Sequence, residues 1–141
     1  MFVSNNVILN INDKDINNGT FHFTENIKKI GTCAFMECET LEEIDISNEI
    51  EVIGTGAFSG CKNLKKVEIS DKVKKIEPYA FAGCTSLKTI TIPDTVESIG
   101  NNAFADCDAL ETIIVPGHII NHKNLIMIFN RCRATLISEH D

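Results

Sequence analysis

A repeat of 23 residues is the feature that most constrains the fold of this chain. The segment Ile53–Ser70 reads IGTGAFSGCKNLKKVEIS, and IEPYAFAGCTSLKTITIP and IGNNAFADCDALETIIVP follow it at successive steps of 23 residues. A catalytic motif is normally present once, because one site needs one set of reacting groups. Side chains that recur at a fixed spacing indicate a structural unit repeated along the chain.

Each copy contains an Ala-Phe pair, a cysteine, a leucine and two β-branched residues in the same order. The three most regular columns are Phe35, Phe58, Phe81 and Phe104, then Cys38, Cys61, Cys84 and Cys107, and then Leu41, Leu64, Leu87 and Leu110. A second apolar pair, such as Val73 and Ile76, also recurs in each copy. Extending the 23-residue register towards the N-terminus places Phe21 and Phe23 on the apolar positions that Ile44 and Ile46 occupy in the next copy. The repeat therefore covers about residues 19 to 119.

The order of residues within one copy predicts its local structure. Leu-x-x-Ile-x-Ile ends in alternating β-branched residues, which predicts a short strand with one face inward. The Ala-Phe segment predicts a single helical turn, because Pro78 stands at its start and Gly60 and Gly83 stand at equivalent ends. A unit of 23 residues cannot bury its own core, whereas stacked units can, and the sequence therefore predicts a repeat solenoid of five coils.

The length of 141 residues and the hydrophobic content of 43% fit one domain over 1–141. We expect an N-terminal cap at 1–18, repeats of 23 residues at 19–118 and a C-terminal cap at 119–141. Caps are expected because a bare end coil would expose its core.

Each cap has an apolar pattern of its own. The segment VILNI near the N-terminus predicts a strand or hairpin that covers the first coil. Leu125, Ile128, Phe129 and Cys132 recur at helical spacing, which predicts a capping helix of about ten residues. A last strand is predicted at 135–137.

Composition excludes several classes of function. The net charge is −7 and no cluster of Lys and Arg exceeds a pair, so a nucleic-acid partner is not expected. No apolar run approaches the roughly 20 residues of a membrane helix, so we expect no membrane insertion. The N-terminal residues lack a basic segment followed by an apolar one, and this absence of a signal peptide predicts a cytoplasmic protein.

The cysteines and histidines do not form a catalytic or metal-binding motif. The periodic cysteines include no CxxC pair and no alternating His, and we interpret them as a buried, reduced column. Cys33 lies outside that column and is predicted to be exposed. His118 and His122 are four residues apart but directly follow Pro116-Gly117, so no metal site is predicted. With no GxSxG, phosphate loop or HExxH present, we expect neither an enzyme nor a cofactor.

Charged residues follow the same period. Glu42 is predicted to face Lys65 on the next coil, and Lys88 to face Glu111, so most strand charges form self-complementary pairs. One strand column is not neutralised in this way. It consists of His22, Asp45, Glu68, Thr91 and Ile114 and runs from acidic to apolar. Two interpretations remain open for it, a binding column and a variable solvated column.

The pattern IGxxAFxxCxxLxxIxIPxxV resembles the BspA-like leucine-rich repeat, and VESIGNNAFADCDALETIIVP at 96–116 carries the resemblance best. The resemblance implies a curved solenoid with a short parallel β-sheet on its concave face and short helical turns on its convex side. It also implies binding to other proteins, because members of that family are commonly adhesins or surface proteins of bacteria and protists. A cell-surface location is therefore the alternative to a cytoplasmic one.

Together these observations predict a non-enzymatic protein-binding module whose partner is a protein of unknown identity. If the resemblance holds, the column from His22 to Ile114 points outward from the centre of the concave sheet. The chain is expected to be monomeric or to self-associate weakly. The alternative functions are a structural protein that assembles through an end or an edge, and an adhesin-like surface protein.

Overall fold

The chain winds into a parallel β-solenoid of about five turns, which confirms the predicted fold class. The computed structural model describes residues 1–23, 26–46, 49–120 and 125–138. Equivalent residues of successive copies lie side by side, as Ile44 lies opposite Val67 and Ile90 lies opposite Ile113. The 23-residue period of the sequence is therefore the length of one turn of the solenoid.

Short strands account for most of the regular structure. Those in the described residues are β1 (Phe2–Ser4), β2 (Val7–Asn10), β3 (Thr20–Phe21), β4 (Lys29–Ile30), β5 (Glu43–Ile46), β6 (Val52–Ile53), β7 (Lys66–Ile69), β8 (Lys75–Ile76), β9 (Thr89–Thr91), β10 (Ser98–Ile99), β11 (Thr112–Val115) and β12 (Thr135–Ser138). The helices are α1 (Gly117–Ile120) and α2 (Leu125–Ile128), and a 3-10 turn covers Asp13–Asp15.

The strands form three sheets. The Leu-x-x-Ile-x-Ile segments form two three-stranded ladders, β3-β5-β7 (the first ladder) and β9-β11-β12 (the second ladder). The order β1-β2-β4-β6-β8-β10 makes a six-stranded back sheet from the second apolar pairs and the N-terminal hairpin. The strands formed by those pairs were not predicted from the sequence, because each has two residues and two residues are too few to show the alternation that identifies a strand.

The Ala-Phe segments are turns rather than the predicted helical turns. Ala57 N–H donates to Gly54 O at 3.1 Å and Ser59 N–H donates to Gly56 O at 3.0 Å, so the segment closes successive i to i+3 bonds. Gly56 and Gly60 have φ values of 62° and 75°, in the left-handed region that an α-helix does not use. These residues turn the backbone out of the helical path.

Because residues with positive φ redirect the backbone, alternate N–H groups of each turn point towards the next coil. Phe58 N–H donates to Ala80 O at 2.7 Å, and Gly60 N–H donates to Ala82 O at 2.8 Å. The same bond recurs one coil later, from Phe81 N–H to Ala103 O at 2.7 Å. The turns therefore hydrogen-bond coil to coil, as the sheets do.

A continuous stack of phenylalanine rings runs along the core. Phe35, Phe58, Phe81, Phe104 and Phe129 stack in order, with centroid distances of 4.8, 5.1, 5.3 and 5.4 Å. The planes of neighbouring rings lie within 17° of parallel. Each ring therefore packs on its copy in the next coil.

The coils also approach closely where each strand of the back sheet ends. At Gly54, a Cβ atom would lie only 2.5 Å from the carbonyl oxygen of Ile30 on the preceding coil. Glycine at 54 allows the two backbones to approach this closely, and Glu77 makes the equivalent bond one coil later, to Ile53 O at 2.9 Å.

The periodic cysteines form a buried column, as predicted. The later thiols donate to the carbonyl oxygen of a phenylalanine on the preceding coil, from Cys61 to Phe35 O at 3.1 Å and from Cys84 to Phe58 O at 3.2 Å. The first thiol, that of Cys38, donates to Asp13 Oδ1 at 3.4 Å. Burial raises the pKa of the Cys61 thiol to about 12, against an ordinary value of 9.0. Cys33 is exposed, also as predicted. The buried thiols are therefore neutral hydrogen-bond donors at neutral pH.

Both ends continue the stacking. The segment VILNI contains β2, which forms a hairpin with β1 and pairs in parallel with β4, and its Ile8 side chain belongs to the core. The predicted last strand is confirmed as β12, which pairs in register with β11. The predicted ten-residue helix is represented by α2, which has four residues. Residues 121–124, to its N-terminal side, lie outside the described residues.

We expect the change Phe81→Ala to lower the free energy of unfolding by about 3–5 kcal/mol, because it removes a buried ring that contacts two others. Urea denaturation measures the loss. Tyr79→Ala is the matched control, since the Tyr79 side chain is 51% exposed, and it should change stability by about 0.5 kcal/mol or less. A loss below about 1 kcal/mol for Phe81→Ala would contradict the assignment of the ring stack as core.

A thiol reagent should distinguish the exposed cysteine from the column. We expect Cys33 to react rapidly in the folded protein and Cys38, Cys61, Cys84 and Cys107 to react only on unfolding. Peptide mapping after brief labelling locates the modified residues, and Cys33→Ser should remove the rapid phase. Rapid modification of Cys61 and Cys84 in the native state would show that the column is accessible.

Stability should fall as the pH rises from 9 towards 12. The pKa of Cys61 and of Cys107 is raised to about 12 in the fold, whereas the unfolded chain loses these protons near 9. Between these values the folded state binds more protons, so raising the pH favours unfolding. Cys61→Ala should make the alkaline slope of the unfolding free energy shallower, as followed by denaturation under reducing conditions. An unchanged slope would contradict the linkage.

Candidate functional site

The predicted binding column lies on the outward side of the two ladders, which we call the front face. The side chains of His22, Asp45, Glu68 and Thr91 are exposed and that of Ile114 is half-buried. Inward-facing core residues flank the strand members of the column, as Ile44 and Ile46 flank Asp45. The backbone that carries the column is thus held on both sides by packing. We call these five residues the front column.

Strand register sets which members of the front column are neighbours. Asp45 lies directly opposite Glu68 in the first ladder, and Thr91 lies directly opposite Ile114 in the second. Ile114 also lies opposite Ile137, whose side chain is 45% exposed. Ile137 was not among the predicted members of the column, because two extra residues precede Phe129 and hide the fact that the 23-residue register resumes after it. The spacing of 23 between Ile114 and Ile137 was the available signal.

The charges of the first ladder are only partly paired. Lys65 Nζ lies 3.3 Å from Glu42 Oε1, as the sequence predicted. Lys66 lies opposite Glu43 in register, but its Nζ atom contacts Glu68 Oε1 on its own strand at 3.2 Å. Within the described residues no ion pair or hydrogen bond involves the carboxylates of Glu43 and Asp45. Two acidic groups of β5 are thus available to an external partner.

A shallow cavity lies over these acidic groups. It has a volume of about 230 Å³ and its polar lining comprises Thr20, His22, Glu43, Asp45, Lys66 and Glu68. Thr20 Oγ1 lies 3.5 Å from His22 Nε2 at one side of the cavity. The lining contains one cation among three carboxylates, and this composition suits a positively charged or hydrogen-bond-donating group.

The second ladder presents a surface of different chemistry. Its outward-facing residues are Thr89, Thr91, Thr112, Ile114, Thr135 and Ile137. All are β-branched and none carries a charge, so they pack on a pleated surface with little rotamer freedom. The front face is therefore charged over the first ladder and uncharged over the second.

The buried thiols and His118 are each engaged by contacts within the fold. A nucleophilic thiol must ionise readily, whereas burial raises the pKa of Cys84 well above its ordinary value. The ring nitrogen Nε2 of His118 lies 2.7 Å from the carbonyl oxygen of Val96, to which its N–H can donate. The other histidine of the candidate metal pair, His122, lies outside the described residues.

Over the stretches of chain that the structure describes, no group of three or more His, Cys, Asp or Glu side chains is placed to hold a metal ion. None of the helices in those stretches has the length and apolar character needed to cross a membrane.

Solved structures of similar fold are repeat proteins. A leucine-rich cell surface protein from Faecalibacterium prausnitzii superposes with a TM-score of 0.76 at 29% identity, covering 87% of this chain and 32% of that protein. A leucine-rich repeat protein from Bacteroides capillosus has a TM-score of 0.59 at 35% identity, with 64% of each chain covered. The pneumococcal vaccine antigen PcpA shares the fold, with a TM-score of 0.67 at 23% identity over 70% of this chain and 24% of its own.

This chain spans about a third of the length of the Faecalibacterium protein and about a quarter of that of PcpA. No curated protein gives a significant match to the sequence. The family model described as the BspA type leucine-rich repeat region matches residues 11–135 in six copies. Its extent agrees with the stacking of Ile11 at one end of the core and Phe129 at the other. This chain belongs to the BspA-type leucine-rich repeat family.

Proposed function

We propose that this chain is a non-enzymatic module that binds another protein through its front column. The observation that carries the proposal is a row of outward side chains, from His22 to Ile114, on strands whose alternate residues are locked in the core. Solenoid proteins commonly bind partners on the extended surface that their stacked strands create. The family and its surface-protein neighbours are consistent with this role.

The chemistry of the front face suggests the chemistry of the partner. A partner with a basic segment would complement Glu43 and Asp45, and an apolar segment beside it would pack on Ile114 and Ile137. The charge of −7 disfavours a nucleic-acid partner, because the phosphate backbone would be repelled. The proposed ligand is therefore a protein surface, bound without a cofactor.

Rigidity of the front column favours binding. Because Asp45, Thr91 and Ile114 lie between buried residues, little backbone entropy is lost when a partner docks on them. Threonine and isoleucine are also restricted at χ1, so the second ladder is already ordered before binding. A pre-organised surface of this kind can concentrate affinity in a few central residues.

Self-association is the alternative function that a separate observation favours. In the described residues β12 is paired on one side only, and an apolar cavity of about 310 Å³ lies beside Phe129 and Leu136. Ile126, at the same cavity, is 85% exposed. An unpaired strand edge can pair with another chain. Sedimentation velocity over a range of concentrations separates this alternative from a monomeric binding module.

An adhesin-like role at the cell surface is the second alternative, favoured by the cell surface protein of similar fold. A cytoplasmic location is the other location to be tested. Protease treatment of intact cells, followed by immunoblotting, distinguishes them, because only a surface protein is digested. In either location we propose that 1–141 acts as one unit, capped at 1–18 and 119–141.

We expect Glu68→Lys combined with Ile114→Asp to weaken partner binding at least tenfold, about 1.4 kcal/mol, because the double change reverses the charge and polarity of the front column. The melting temperature should stay nearly unchanged, since neither side chain is in the core. A partner is first identified by cross-linked capture from the native cells and mass spectrometry, and its affinity is then measured by calorimetry with purified proteins.

Glu51→Lys combined with Val52→Asp is the matched control on the back sheet. It makes the same change in net charge, and Val52 is half-buried like Ile114. This variant should bind the partner with wild-type affinity. If it abolishes binding while the front-face variant binds normally, the working surface lies on another side of the solenoid and the proposal is wrong.

A further inference from the structure

The two ladders of the front face do not join. β7 and β9 lie on neighbouring coils, as β5 and β7 do, yet across residues 49–120 no backbone hydrogen bond connects them. Elsewhere the two coils are connected. β8 pairs with β10 in the back sheet, and Phe81 N–H donates to Ala103 O in the turns. The interruption is therefore confined to the front face.

β7 is hydrogen-bonded to β5, and β9 is hydrogen-bonded to β11. These pairings show which amides of β7 and β9 point into the space between them. Ser70 N–H points to β5, where it donates to Ile46 O at 3.0 Å, and Ile92 N–H points to β11, where it donates to Ile114 O at 2.7 Å. Because successive amides of a strand point to opposite sides, the alternate amides point between β7 and β9. We call the four amides that point into the space between β7 and β9 the gap amides. They belong to Val67, Ile69, Thr89 and Thr91.

Two observations accompany the interruption between β7 and β9. A cavity of about 370 Å³ is lined by residues of both strands. Ile69 is half-buried, whereas the equivalent Ile46, Ile92 and Val115 are fully buried. Separation of the strands thus exposes a residue that the other coils keep in the core.

A charge clash coincides with the interruption. Glu42, Lys65, Lys88 and Glu111 occupy one column on successive coils, and only the central step places like charges on neighbouring strands. Glu42 and Lys65 form an ion pair at 3.3 Å across a step that is fully paired. Like charges opposite one another destabilise a strand pair unless a counter-charge is close, as Lys66 is close to Glu68 where Glu68 lies opposite Asp45 in the paired first ladder. Among the described residues no ion pair involves Lys88. Lys65 and Lys88 therefore oppose closure of the step between β7 and β9.

The proline that follows β9 does not account for the interruption. Pro93 occupies the position of Ser70 and has no N–H to donate to Ile69 O. Pro116 occupies the same position one coil later, yet β9 and β11 are paired. The lysine pair distinguishes the open step from the closed one.

We propose that the step between β7 and β9 is a joint in the solenoid, held open by Lys65 and Lys88 and able to close when their repulsion is removed. The back sheet and the turns act as its hinge, because they stay hydrogen-bonded. Closure would place Glu68 opposite Thr91 and merge the two ladders into one sheet. The shape of the front face would thus respond to charge, whether or not that face binds a protein.

Hydrogen exchange of the full chain, followed by NMR, tests the joint. At low ionic strength the four gap amides should exchange at least tenfold faster than Glu68, Ile90 and Ile92, whose amides face the paired strands. Because 1 M NaCl shortens the screening length to about 3 Å, it should slow exchange of the gap amides without slowing that of the other three.

Variants that swap the charges of two residues test whether the lysines hold the joint open. The double change Lys88→Glu and Glu111→Lys makes the charges at 42, 65, 88 and 111 alternate in sign without changing the net charge. It should slow hydrogen exchange of the gap amides at least tenfold at low salt. Glu42→Lys with Lys65→Glu creates the same alternation and serves if the first variant does not fold. Lys65→Arg with Lys88→Arg keeps the like charges, and its gap amides should exchange as in the wild type.

Two results would overturn the inference. Wild-type gap amides that exchange as slowly as those of Ile90 and Ile92 would show that the ladders are joined in solution. Gap amides that stay fast in both alternating variants and in 1 M NaCl would show that the lysines do not hold the joint open.

Discussion

Stacking of a side chain on its own copy is the interaction on which this structure depends. The phenylalanine rings lie 4.8 to 5.4 Å apart, close to the spacing of about 4.8 Å between hydrogen-bonded strands. Rings and backbones can therefore repeat at one distance without strain. A shift of one coil by a single residue would move the rings out of the core and every strand residue to its opposite face. The stack thus fixes the register that the sheets and turns then use.

The cysteine column follows from the same constraint. Phe35, Phe58 and Phe81 each direct a carbonyl oxygen into the buried space that the cysteine of the next coil occupies. Cysteine fills that space as a hydrophobe and also donates its thiol hydrogen, as Cys107 does to Phe81 O at 3.2 Å. The polar carbonyl is satisfied without the burial of a charge. Packing therefore explains why cysteine recurs in all four copies, without any need for redox or metal chemistry.

The front face shows what remains free once packing is satisfied. Inward positions must repeat, but outward positions vary from Asp45 to Ile114, so the surface can differ from coil to coil at little cost in stability. Variation in charge has a structural consequence as well. Where Glu42 meets Lys65 the ladder is paired, and where Lys65 meets Lys88 it is open. Changes in the exposed charges of the front face can therefore also change whether neighbouring strands pair.

The solenoid, its strands and its buried columns could be predicted because each depends on the pattern of residues within one copy. The left-handed turns could not, because Tyr79 adopts a φ of 61° that its residue type does not suggest. The back sheet was missed because a two-residue strand has no period. The sequence by itself determined which side chains repeat and hence which are buried. Only the tertiary structure decided how neighbouring coils meet, including the gap beside Lys88, because pairing depends on distances between coils that no local pattern contains.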